Sequence, residues 1–365
     1  MKVHQFQPDL PPPTNTTGIV GWMKKNLFSS AVNSILTLII AYFVIKGLYH
    51  LIDWAILKAD WIGEDRDACS TGGACWVLVY VRFNQFMFGF YPEADLWRPE
   101  LFYATLAILI GLLAWDKTPK RGWICLFTIT LYPILMAGLL HGGMFGLPVV
   151  ETYKWGGLLV TLVLALVGIV ASLPIGVLLA LGRRSHMPVI RSLSTVYIEV
   201  WRGVPLITVL FMASVMLPLF MSEGSETDKL IRALIGVTLF SAAYMAEVIR
   251  GGLQAIPKGQ YEAADALGLN YPKKIGLIIM PQALKITIPS IVNTFIDLFK
   301  DTSLVLIIGM FDVLGIGQAA NTDPAWLGFS TESYAFVALV FWVFCFGMSR
   351  YSIWLENKLH TGHKR

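Results

Sequence analysis

The sequence predicts an all-α protein, a polytopic transmembrane helical bundle of about eight spans, and three observations lead there. Hydrophobic residues make 56% of the chain and charged residues 14%, against roughly 25% charged in ordinary soluble domains. Eight apolar runs reach or approach the length that crosses a hydrocarbon layer of about 30 Å, at 30–51, 101–115, 123–140, 158–181, 196–220, 230–248, 286–308 and 334–351. Lysine and arginine collect in alternate connections between these runs.

The elements follow in chain order. Residues 1–17 are polar and contain Pro11, Pro12 and Pro13, so no cleavable signal peptide is expected and the first apolar run serves as an uncleaved anchor. Residues 19–28, with Trp22, Lys24 and Lys25, read either as an amphipathic lead-in on the inner face or as plain tail. Between the first and second spans lies a long outer loop, 53–98, in which Cys69 and Cys75 flank a glycine-containing turn and form a possible disulfide. Residues 76–91 are apolar but interrupted by Arg82, Asn84 and Gln85, which suggests an interfacial or re-entrant piece. The second span is short and the third holds Pro133. In the fifth span, Gly203-Val204-Pro205 is expected to introduce a bend, with Met212 and Met216 read as core. Cys125 and Cys345 fall inside apolar segments and read as packing residues. No Cys, His or carboxylate cluster has metal-ligand spacing, so no metal site is expected.

With the N-terminus inside, the five cytoplasmic stretches hold 18 Lys and Arg and the four outer loops hold six. This asymmetry predicts both termini in the cytoplasm. It also explains the net charge of +4 as an orientation signal, which leaves no reason to expect nucleic acid as a partner.

The connection at 250–285 is hydrophilic yet ordered in pattern. Residues 260–267 favour helix, Pro257 precedes them, and Gly268 stands where a helix terminus calls for a left-handed residue. Asn270 is a good N-cap for a second helix, with Pro272 tolerated in its first turn. Two short helices around a tight turn result. Small side chains at Ala263, Ala264, Ala266 and Gly268 allow another surface to approach closely.

This segment resembles the EAA signature of permease subunits of ABC importers. Glu262-Ala263-Ala264, Gly268, Ile278 and Met280-Pro281 match its spacing, with Met280 in place of leucine. The resemblance implies a type I importer permease core in which Tyr261, Glu262, Ala263, Ala264, Asp265 and Gly268 form a coupling helix docked on a cytoplasmic ATPase. It covers 150–365, five spans, where the stretches 197–206 and 299–304 look like the polar amino-acid branch, Val204 replacing a usual threonine. The three spans of 30–149 form an N-terminal extension, and with it the chain looks like the longer permease subunit of a general L-amino-acid importer.

Charges inside spans are functional candidates because each costs about 2.5–3.5 kcal/mol near a bilayer centre on insertion scales. Asn293, Asp297, Lys300 and Asp301 share one helical face of the seventh span, and Glu199 and Arg202 share one of the fifth. An amino acid carries both an ammonium and a carboxylate, so Asp301 and Glu199 suit the first and Lys300 and Arg202 the second. Thr302 and Ser303 complete the candidate substrate path. The alternative is that Asp297 with Lys300, and Glu199 with Arg202, neutralise each other and join helices.

No Gly-x-x-x-x-Gly-Lys-Ser/Thr loop occurs, so the chain is read as binding no cofactor, with ATP and Mg on a partner ATPase. Gly-x-Ser-x-Gly and His-Glu-x-x-His are also missing, and no enzyme activity is expected of the chain itself. The resemblance implies a bacterial inner membrane location, a second related permease, two cytoplasmic ATP-binding subunits, a periplasmic amino-acid-binding protein, surrounding lipid and an amino-acid substrate. Two rivals stay open: an ion-coupled secondary transporter, and a membrane sensor or assembly subunit.

Overall fold

Ala31–Ile52 (α2) is capped by Ser30, whose hydroxyl accepts the Asn33 amide at 3.2 Å, and follows a short helix, Gly18–Asn26 (α1), in the predicted lead-in. They open the computed structural model, which describes residues 18–115, 117–144, 146–220 and 227–359. The polar 1–17 tail and the last charges of the C-terminus lie outside the described residues. Two compact units emerge, Met1–Val77 and Leu78–Arg365.

In the first unit none of the α2 side chains is buried. A largely apolar cylinder with no buried side suits a lipid surround. A wide π-helical turn, Asp53–Leu57, ends it, and the loop beyond folds back on itself. The Trp76 indole donates to Ala55 O at 2.8 Å, the Thr71 hydroxyl donates to Lys58 O, and Cys69 and Cys75 are joined with their Cα atoms 5.5 Å apart.

The second unit begins with Val77–Val81 (α3), which straddles the boundary, and Phe83–Phe88 (α4). Phe86 is fully buried and stacks edge-on against Phe336 at 4.9 Å, so this interrupted apolar piece packs in protein. Trp97–Ala114 (α5) and Arg121–His141 (α6) pair through Tyr132, whose hydroxyl donates to Phe102 O at 3.0 Å. Both helices group with the later spans by compactness, whereas the sequence suggests a boundary near 150.

The core is Gly157–Arg183 (α7) packed along Lys229–Ala255 (α10), with Met280–Asp301 (α13) against both. Small residues permit the close approach: a Cβ at Gly252 would fall 2.8 Å from Ala283 O on α13. Pro188–Gly203 (α8) and Leu206–Phe211 (α9) replace the expected continuous fifth span. They meet at Val204 and Pro205, and the α8 axis makes an angle of 101° with the segment that runs on from Leu206 to Phe220. The expected bend is therefore a full elbow, because Pro205 supplies no amide and Val204 is extended.

Lys258–Ala266 (α11) and Tyr271–Lys273 (α12) join α10 to α13, and Val313–Thr322 (α14) and Ser330–Leu359 (α15) complete the chain. Seven helices are long and apolar enough to cross a membrane, or eight if the bent pair is one span, and no strand occurs among the described residues. The expectation of an all-α bundle with about eight spans is borne out.

Candidate coupling hairpin and charged path

The hairpin between α10 and α13 has a fixed side and an open side. Ile256 is buried where α10 ends, and Pro257 in extended conformation starts α11. Gly268 adopts φ +70°, and the chain turns as the Leu269 amide donates to Ala264 O at 3.2 Å. No heavy atom lies within 4 Å of a Cβ placed at Gly268, so glycine is required there by backbone conformation and not by crowding. Asn270 caps α12, accepting the Lys273 amide, and a π-helical stretch, Lys274–Ile279, leads into α13. Lys274 Nζ closes the hairpin on Asp265 at 2.6 Å.

Within the predicted motif the side chains divide. Ala264 is buried, so its small size serves the packing of the hairpin rather than an outer face. Tyr261 is half-buried; its hydroxyl donates to Leu253 O at 3.1 Å and accepts Arg184 Nη1 at 3.2 Å, while the Arg184 guanidinium lies 5.6 Å from the ring centroid. Glu262, Ala263, Asp265, Ala266 and Gly268 are exposed, and Leu267 is 74% exposed. Apart from Asp265, held by Lys274, this is an uncovered face of small and charged residues with one large apolar side chain at its end.

Above the hairpin, a charge network ties α7, α8 and α10. Glu247 accepts Arg183 Nη1 at 2.5 Å and Arg250 Nη2 at 2.8 Å, and Arg202 Nη1 stands 3.8 Å away. Arg183 also donates to Glu199 at 2.8 Å. Glu199 and Arg202 therefore reach different partners, where their spacing on one helix suggests a mutual pair. The guanidinium of Arg202 also lies over the Tyr244 ring at 5.7 Å. The Arg183–Glu247 pair escapes a sequence reading because its members stand 64 residues apart; the available signals are the charge of Glu247 within an apolar run and Arg250 three residues after it.

On α13, Asn293, Asp297 and Lys300 are exposed, Asp301 is half-buried, and Lys300 Nζ meets Asp297 Oδ1 at 2.9 Å. The hydroxyl of buried Thr302 donates to Phe299 O at 2.7 Å and that of Ser303 to Lys300 O at 2.8 Å, so both serve their own helix. Among the described residues no ion pair or hydrogen bond joins the α13 set to Glu199 or Arg202. Two candidate charged patches result, one on each element. Met212 and Met216, expected in the core, instead line an apolar cavity of about 540 Å³ beside the elbow, with Trp201 and Arg232.

The pattern of the family described as "Binding-protein-dependent transport system inner membrane component" matches residues 172–361. "Inner membrane amino-acid ABC transporter permease protein YhdY" of Escherichia coli (strain K12) is 55% identical over 366 residues, covering 99% of this chain and 98% of that protein. "Glutamate/glutamine/aspartate/asparagine transport system permease protein BztC" of Rhodobacter capsulatus is 40% identical, covering 97% of this chain and 96% of that one. A solved amino acid ABC transporter with histidines is similar at a TM-score of 0.49 and 29% identity, over 55% of this chain and 92% of that chain.

Proposed function

The chain belongs to the binding-protein-dependent transport system inner membrane component family, as the permease subunit of an amino-acid ABC importer, and from that premise we propose how its parts divide the work. The hairpin around α11 is the coupling element that docks on a cytoplasmic ATP-binding subunit. ATP and Mg²⁺ bind on that partner and supply the energy. The charged face of α13 meets a second, related permease, and the two enclose the path for an amino acid delivered by a periplasmic binding protein. The hairpin side is cytoplasmic, and both termini lie there.

The observation that carries this reading is the two-sidedness of the hairpin. Tyr261 and buried Ala264 fix it to the helical core and the Asp265–Lys274 pair closes it, while Glu262, Ala263, Ala266 and Leu267 stand uncovered. A push on the open face is transmitted through Arg184 and Tyr261 to the end of α7, and Arg183 passes it to α8 and α10. The exposed Asn293, Asp297 and Lys300 support the pairing surface, because bare charges facing hydrocarbon are costly. For the substrate, a relative's name points to acidic amino acids and their amides. Asp301 and Glu199 are proposed to meet the ammonium, and Lys300 and Arg202 the carboxylate.

A photocrosslinking residue at position 267 in the assembled transporter tests the central claim. Crosslinking to an ATP-binding subunit is expected; crosslinking to lipid alone, with that subunit still copurifying, would overturn it.

A further inference from the structure

Beside the hairpin lies a groove of about 790 Å³, formed by the end of α7, the α7–α8 connection, α8 and the end of α10. Arg183, Arg184, Arg191 and Arg250 line it, and no aspartate or glutamate does. Two of these charges are balanced from behind, Arg183 by Glu199 and Glu247 and Arg250 by Glu247. Among the described residues, Arg184 meets only the hydroxyl and ring of Tyr261, and exposed Arg191 has no ion pair. Ser192 and Thr195 add hydroxyl groups. Guanidinium groups in excess and hydroxyl donors select an anion, and a phosphate oxygen cluster best uses the forked geometry of arginine.

One further feature chooses between a free and a lipid-borne phosphate. Val189, Leu193, Val196 and Val200 form a single stripe along α8, each between 55% and 68% exposed, and Val196 also lines the groove. A soluble anion has no use for that stripe. A phospholipid does, with its headgroup among the arginines and an acyl chain along the valines and leucine.

We propose that this groove binds the phosphate headgroup of an anionic phospholipid, with one acyl chain lying along Val189, Leu193, Val196 and Val200. Because Arg184 lines the groove and also holds Tyr261, a bound lipid acts on the attachment of the hairpin. The binding itself requires only that the chain sit in a membrane. It stands whether or not the hairpin docks on an ATPase.

The test uses the assembled transporter in phosphatidylcholine nanodiscs carrying a small fraction of photoactivatable phosphatidylglycerol, with labelled peptides mapped by mass spectrometry. Labelling concentrated within 183–200 is expected. Arg191→Gln is expected to lower it about fivefold, the factor that one surface arginine contributes to holding an anionic lipid. Equal labelling by photoactivatable phosphatidylcholine, or labelling unchanged in Arg191→Gln, overturns the proposal. So does full displacement by inorganic phosphate, which assigns the groove to a free anion. Loss of the copurifying ATP-binding subunit from Arg191→Gln with lipid labelling intact assigns it to that protein instead, and equally overturns the proposal.

Discussion

Glu247 on α10 accepts Arg183 of α7 at 2.5 Å, and through that contact the two longest core helices are joined close to the hairpin that follows α10. The same carboxylate takes Arg250, so it is the acceptor of four hydrogen bonds from two guanidinium groups. Glu247→Ala leaves those charges with Glu199 alone. Its side chain retains 17% exposure, so the expected cost is about 2 kcal/mol, below the roughly 3–5 kcal/mol of a fully buried pair. Thermal unfolding in detergent measures it, and Glu247→Gln is expected to fall between the two.

Gly268 separates hairpin folding from docking. Since no atom crowds its missing side chain, Gly268→Ala is expected to cost only the roughly 1–2 kcal/mol of a left-handed alanine and to leave transport largely intact. Aspartate tolerates that conformation at least as well. Gly268→Asp should therefore fold and insert normally yet lose ATPase association or uptake, because it adds a charge to the proposed docking face. Normal uptake by this variant would remove the coupling role.

Tyr261→Phe deletes the hydroxyl that links Leu253 and Arg184 while keeping the ring under the guanidinium. The expected stability loss is about 1 kcal/mol. Transport per ATP hydrolysed should drop more than assembly does, measured in proteoliposomes; equal losses of both would make the contact merely structural.

For the pathway, Asp301→Ala is expected to lower uptake without loss of the assembled complex. Asp297→Ala frees Lys300 on an exposed face and should weaken pairing with the second permease first. Uptake assays beside size-exclusion profiles distinguish these effects, and unchanged uptake in Asp301→Ala would return that residue to structural duty.

Asp312, outside the spans, caps α14 by accepting the Gly315 amide at 2.8 Å, and it is completely buried. Burial pushes its carboxyl up to about 6, with backbone amides opposing the shift. Between the ordinary 3.8 and about 6 the folded chain keeps a proton that the unfolded chain releases, so this group's contribution to stability falls as pH rises through that window and is flat above it. Asp312→Asn should abolish that slope, read as the wild-type minus variant difference in unfolding midpoint from pH 4 to 7.

What the sequence made legible follows from range. Hydropathy runs are continuous in the chain, so the spans and the all-α class could be read directly. The hairpin depends on neighbours such as Gly268 and Asn270 and was equally readable. Ion pairing was readable only within one helix, as for Asp297 and Lys300; between helices it was not, because Glu199 has Arg202 three residues away but meets Arg183 sixteen away. Proximity along one helix cannot reveal a partner on another. The severity of the bend at Pro205 was hidden for a similar reason: a proline announces a break, but the angle is set by what α8 and α9 pack against. Met212 and Met216 look like core by composition, and only the elbow beside them opens a cavity there.

That corner at Val204 has one more implication. The closing turn of α8 has carbonyl oxygens for which the following residues offer no continuing ladder, since one is extended and the next has no amide hydrogen. Oil cannot satisfy them. A break of this kind therefore calls for a polar neighbour at the corner, water or protein, that an unbroken span would not need.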